Sequence, residues 1–280
     1  MSAVVTAWRA WPPLGQLASF LALWFLIWLP LGLPLMAKVG WNPKQDATPS
    51  QKLTLVIPLY LLAPGVVALW LWLSETSLSD YGWSAEPRFW LQGLLGWGLG
   101  LLGLALVWAL DSLLGICYWQ REKLGLWFKL SLPIAVLALG VGAAEELIFR
   151  GIFQTRLQSV FSPWVAAVLA SAVFALLHLL WERRQTLPQI PGLFALGLVL
   201  VLARTAAQGQ LGLAWGLHSA WVFGLASVDS AELLTYVKAE GTWLSGRFNQ
   251  PLAGLGGVLC LALTALVLSS GGAGAFANPL

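Results

Sequence analysis

Five side chains able to do acid-base chemistry stand inside stretches otherwise built of hydrocarbon. Glu145, Glu146 and Arg150 lie in G-A-A-E-E-L-I-F-R-G, and the two histidines of the chain are His178, in S-A-V-F-A-L-L-H-L-L-W, and His218, in G-L-A-W-G-L-H-S-A-W-V. A charged side chain at the centre of a membrane helix costs about 2.5 to 3.5 kcal/mol on insertion scales, so each of these groups needs a partner. Glu146 and Arg150 are four apart, about 40° around a helix, with the acid on the N-terminal side, which suits an ion pair. Glu145 is about 140° from Arg150 on the same wheel and must look elsewhere. Phe174, four residues before His178, shares its helix face and is placed to pack on the ring. One carboxylate and two imidazoles from three helices solve their common burial problem by converging on one site that holds a water or a metal ion. A single buried histidine is more often a packing residue, but both histidines, two glutamates and an arginine together favour a functional site over structural glue.

The elements that must position these groups are membrane helices. Of the 280 residues, 59% are hydrophobic and 10% charged, and the apolar residues come in long blocks. About 20 apolar residues cross a hydrocarbon core about 30 Å thick. The blocks predict an all-α, polytopic membrane protein of about eight spans, residues 14–36, 53–73, 89–111, 131–157, 163–181, 190–206, 211–228 and 252–269. The sixth is the weakest, opening at Pro188 and Pro191 and ending near Arg204, and a re-entrant element is its alternative. One membrane domain, 1–280, is expected, with the polar motifs in 131–228, and the first span is read as retained rather than cleaved. Tryptophans at span ends, including Trp41, Trp72, Trp90, Trp119, Trp164 and Trp181, are read as headgroup anchors. Asp111 ends a span and is read as interfacial, and the tail S-S-G-G-A-G-A-F-A-N-P-L as a flexible end.

Eight spans divide the loops into two sets. One holds Lys38, Lys44, Lys52, Arg121, Lys123, Lys129, Arg183, Arg184, Lys238 and Arg247, the other Arg9, Arg88, Arg156 and Arg204. The positive-inside rule assigns the richer set to the cytoplasm, with the site opening toward that side and both termini opposite. No basic run interleaved with aromatics is present, so the net charge of +3 points to topology and not to nucleic acid. Two cysteines, Cys117 and Cys260, make neither a disulfide framework nor a thiolate metal site.

The pattern E-E-x-x-x-R at Glu145, Glu146 and Arg150, F-x-x-x-H at Phe174 and His178, and a later intramembrane histidine at His218 resembles the CPBP family, the CAAX prenyl protease and bacteriocin-processing ("Abi") group of intramembrane endopeptidases. The resemblance covers roughly residues 131–228. It implies a glutamate-type peptidase acting on a membrane-embedded or lipid-anchored peptide in the lipid bilayer. Glu145 would then be the general base, His178 would orient the water, His218 would help stabilise the oxyanion, and Glu146 with Arg150 would lock the helix and balance charge. No cofactor is implied. Zinc held by Glu145, His178 and His218 is the enzymatic alternative, disfavoured by the absence of H-E-x-x-H.

The third motif departs from the family, where an asparagine commonly stands four residues after the histidine; here it is Val222. Loss of one oxyanion donor lowers turnover about 100-fold to 1000-fold. Either Ser219 or a backbone group substitutes, or the protein is a slow member or a non-catalytic scaffold. Depth sets a second requirement. Counted from Ser131, Glu145 would lie about 21 Å deep, and His178 only about 5 Å from its helix end. Residues 131–137 are therefore expected to be an interfacial lead-in, with the buried part at 138–157, bent near Gly140 and Gly142.

Overall fold

The computed structural model describes residues 3–271, and the last nine residues of the tail read above as flexible lie outside the described residues. The chain is almost wholly helical. A short α1 (Ala3–Arg9) precedes α2 (Pro13–Val39), α3 (Pro49–Ser74) and α4 (Pro87–Leu113). A single helical run then changes pitch twice, as α5 (Leu124–Glu145), a π-helix (Glu146–Phe153) and α6 (Gln154–Gln158). After it come α7 (Pro163–Leu177) with a 3-10 turn at His178–Leu180, α8 (Arg183–Thr186), α9 (Ile190–Ala206), α10 (Gly212–Ser230) and α11 (Leu255–Gly271). Proline at the first helical position opens α2, α3, α4 and α7, with an extended residue before it in α3, α4 and α7.

Among the described residues six helical segments, against the eight spans expected, are long and apolar enough to cross a membrane, among them Arg121–Gln158 and Arg183–Ala206. The sixth expected span is thus continuous helix, lengthened at its start by α8 and a 3-10 turn, and not re-entrant. Large apolar side chains stand on the outside of the bundle, such as Leu61 at 75% and Leu113 at 85% exposure. Lipid is the solvent that suits such a surface. The protein is an integral, multi-pass membrane protein.

The helix ends sort onto two faces. At one face the Ala47 amide donates to the Trp181 carbonyl, Lys52 pairs with Glu182 at 2.7 Å, and Arg184 lies over the Phe248 ring. On the same face β1 (Cys117–Trp119) pairs antiparallel with β2 (Leu234–Tyr236), in register Cys117 with Tyr236. A second two-stranded pair, β3 (Gly241–Thr242) with β4 (Gly246–Arg247), follows in the long loop after α10. Apolar blocks gave no warning of either. At the opposite face Arg9 pairs with Glu75, Arg156 donates to Gln16, and the Leu211 amide donates to the Gly82 carbonyl. Arg204, counted above among loop charges, lies in α9 and is turned inward.

The centre is held by close helix contact. A Cβ on Gly216 of α10 would stand 2.0 Å from the Gly93 carbonyl oxygen of α4, so only glycine permits that approach. Between α5 and α10, a Cβ on Gly142 would stand 2.3 Å from Ser219 Oγ. Gly142 therefore serves contact, and no break occurs at Gly140 or Gly142: α5 runs through both to Glu145. The irregularity begins one residue later, at the π-helix. Few residues of 131–137 are buried and most of 145–154 are, in line with an exposed lead-in and a buried core.

Candidate functional site

Four elements supply the polar side chains. The junction of α5 and the π-helix carries Glu145, Glu146 and Arg150, the end of α7 carries Phe174 and His178, α10 carries His218, and α3 adds Tyr60, which the motifs did not point to. A π-helix bonds each residue to the fifth along instead of the fourth, which widens the helix, and it is frequent at functional sites. Here it turns both glutamates inward: Glu145 is 7% and Glu146 0% exposed. Widening also loosens the backbone ladder, and Arg204 answers it. Its guanidinium donates to the Arg150 carbonyl, to Thr155 Oγ1 at 3.1 Å and to the Gly209 carbonyl at 3.0 Å.

The two glutamates have different partners. Arg150 Nη1 donates to Glu146 Oε1 at 3.0 Å, the pair expected from the i, i+4 spacing. His218 Nδ1 meets the same oxygen at 2.7 Å, and its Nε2 lies 3.4 Å from Glu145 Oε2. The Tyr60 hydroxyl donates to Glu145 Oε1. Two acids thus face one permanent cation and one imidazole, and the four charges cancel when that ring carries its second proton. Arrangements of this kind are what a buried ion pair requires, because either member alone would leave an uncompensated charge.

Phe174 joins the two histidines. Its ring is T-shaped to His178 at 4.7 Å and to His218 at 5.8 Å, and the Arg150 guanidinium lies 4.2 Å over it. The cation sits on a π face, the geometry in which guanidinium and ring attract. His178 Nδ1 donates to the Phe174 carbonyl at 2.8 Å, which leaves Nε2 as the acceptor. The structure therefore brings together all six residues singled out from the sequence, Glu145, Glu146, Arg150, Phe174, His178 and His218. It adds Tyr60, whose only sequence signal is a hydroxyl in the middle of an apolar block.

Ser219, named above as a substitute donor, is sealed against Gly142 between α5 and α10, and among the described residues its Oγ has no hydrogen-bond partner. Val222 is one turn further along α10 and offers no polar atom. Among the described residues no three His, Cys, Asp or Glu side chains are grouped to hold a metal ion. His218 Nδ1 lies on Glu146 and its Nε2 faces Glu145 Oε2 at 3.4 Å.

The family model described as type II CAAX prenyl endopeptidase Rce1-like matches residues 126–224. The matched segment runs from α5 into α10 and holds every site residue except Tyr60. It bears out the resemblance to the CPBP intramembrane proteases drawn from the three motifs. No curated protein and no solved structure matches the chain.

Proposed function

We propose that the protein is an intramembrane endopeptidase that hydrolyses a peptide bond in a membrane-embedded or lipid-anchored peptide with a water activated by Glu145. The observation that carries the proposal is the division between the glutamates: Glu146 is committed to Arg150 and His218 Nδ1, while Glu145 is touched by a neutral phenol and a longer imidazole contact. An acceptor held this way is suited to receive and return a proton. Glu145 takes a proton from the water as its oxygen adds to the peptide carbonyl carbon. On collapse the carbon–nitrogen bond breaks and the same proton passes to the departing amine. His178, its Nδ1 tied to the Phe174 carbonyl, presents Nε2 to the water and orients it. His218 bridges the two carboxylates and sets the position of Glu145. The family match over the segment bearing these residues supports the peptidase reading.

Burial of the site implies that a helical substrate unwinds locally before its carbonyl reaches Glu145. Purified protein and Glu145→Gln, incubated in bilayers with a library of membrane and lipid-anchored peptides, test the reading. Cleavage by the wild type alone is expected, and equal cleavage or none by both rules it out. A chelator is expected to leave the rate unchanged, and a rate abolished by chelation and restored by zinc would replace the glutamate-activated water with a zinc-bound one.

A second reading draws on Val222 and on the occupation of both Glu145 oxygens. In it the cluster is a structural core of a membrane scaffold that binds another protein. Glu145→Gln then leaves the biological role intact, and changes on the lipid-facing surface abolish it.

A further inference from the structure

Hydrolysis through a tetrahedral intermediate needs a donor for the carbonyl oxygen as it becomes negative, placed about 2.7 to 3.1 Å from where that oxyanion forms. Val222 carries no donor, Ser219 Oγ is shut between α5 and α10, and both His218 nitrogens face carboxylates. Arg150 is wholly buried, with Nη1 on Glu146 and its guanidinium over the Phe174 ring; its Nη2 has no hydrogen-bond partner among the described residues, but at 1% exposure it is closed off from an incoming peptide. Tyr60 is different. It is half-buried on α3, and its hydroxyl already lies on the base. Depth agrees: Tyr60 is eleven residues from the start of α3, about 17 Å, and His218 twelve from the end of α10, about 18 Å, both measured from the same face. Trp24 holds the phenol ring edge-on at 6.1 Å, and its own indole N–H is engaged by the Leu59 carbonyl at 2.9 Å.

We infer that Tyr60, on a helix outside the family-matched segment, supplies the oxyanion hydrogen bond for the hydrolysis proposed above, on which this inference rests. In the resting site the phenol donates to Glu145 Oε1. As Glu145 accepts the water's proton it becomes a poorer acceptor, while the substrate carbonyl oxygen, bonded to the carbon under attack, becomes a better one. The phenolic proton turns from the first to the second without leaving its own oxygen. A hydrogen bond made only in the transition state raises kcat and leaves substrate binding unchanged. Collapse of the intermediate re-forms the carbonyl, the Glu145 proton leaves with the amine, and the phenol returns to the carboxylate.

The test uses the full chain in bilayers with a peptide cleaved by the wild type and not by Glu145→Gln. Tyr60→Phe is expected to lower kcat about 100-fold with KM unchanged. A loss under about threefold or a loss confined to KM overturns the inference and leaves the peptidase reading standing. Absence of wild-type cleavage overturns both. If Tyr60→Phe does not yield folded protein, 3-fluorotyrosine placed at position 60 alone keeps the shape with a more acidic donor. A changed kcat then supports the assignment and an unchanged kcat overturns it.

Discussion

Glu145 and Glu146 sit in mid-helix among Arg150, His218 and Tyr60, whereas Asp111, two residues from the end of α4, is buried among Ser112, Cys117 and Tyr236. Asp111 lies at the end of its span as its place in the sequence suggested but is only 2% exposed, and among the described residues its Oδ1 has no hydrogen-bond partner. Around it the bonds are neutral: Trp119 donates to Ser112 Oγ at 3.0 Å, and Ser112 Oγ lies 3.4 Å from Cys117 Sγ. In the first region bases have been gathered to acids from three helices. In the second an acid has been covered by the β1–β2 pair with no base brought to it. The contrast separates polar groups whose charge the fold supports from one it merely encloses.

The largest break in that contrast is expected at Arg150. Arg150→Leu removes one partner of a wholly buried pair and should destabilise the protein by about 3 to 5 kcal/mol, read by unfolding in detergent. Glu146→Gln added to it should recover much of the loss, since the uncompensated acid is gone. Equal stability of the wild type and the single variant would show that the pair does not hold the π-helix. Next in size is Gly142→Val. Its side chain meets Ser219 and forces α5 from α10, for about 1 to 3 kcal/mol and a lengthened Glu145–His218 contact. Cleavage should fall more than stability, and unchanged cleavage would show that the seam does not set the position of Glu145.

Asp111→Asn is expected to change stability by less than about 1 kcal/mol, because the carboxylate has no base to lose. A loss as large as that of Arg150→Leu would erase the distinction between the two regions. The smallest effect is at Cys117. Burial pushes its thiol pKa up, a hydrogen bond with Ser112 offsets part of that rise, and the nearby Asp111 adds a lesser push upward. A raised pKa means less thiolate at a given pH, so alkylation near neutrality should be slower than for a free thiol and should gain rate only as pH rises beyond the ordinary thiol range.

Much of the site was legible because membrane burial singles out its members. Glu145, Glu146, Arg150, His178 and His218 stand out in hydrocarbon, and the Glu146–Arg150 pair follows from four-residue spacing alone. Phe174 on His178 follows the same rule. Tyr60 was missed because a tyrosine in an apolar block reads as packing until a carboxylate is seen against it. The bend was placed at Gly140 and Gly142 because glycine marks helix weakness in a sequence, but the packing of Ser219 uses Gly142 for contact. Arg204 read as a loop charge, and the need it meets exists only once the helix has widened at Arg150.

Composition and spacing alone determined the lipid-solvated helices and the identity of the groups that need partners, since both follow from the local balance of burial and hydration. Only the tertiary structure decided which partners they found. His218 bridges two glutamates 72 or 73 residues before it, and Tyr60 reaches across 85 residues to Glu145. Such contacts depend on how close neighbouring helices come and which way each is rotated, and those are fixed by glycine contacts and a π-helix whose register no single segment encodes by itself.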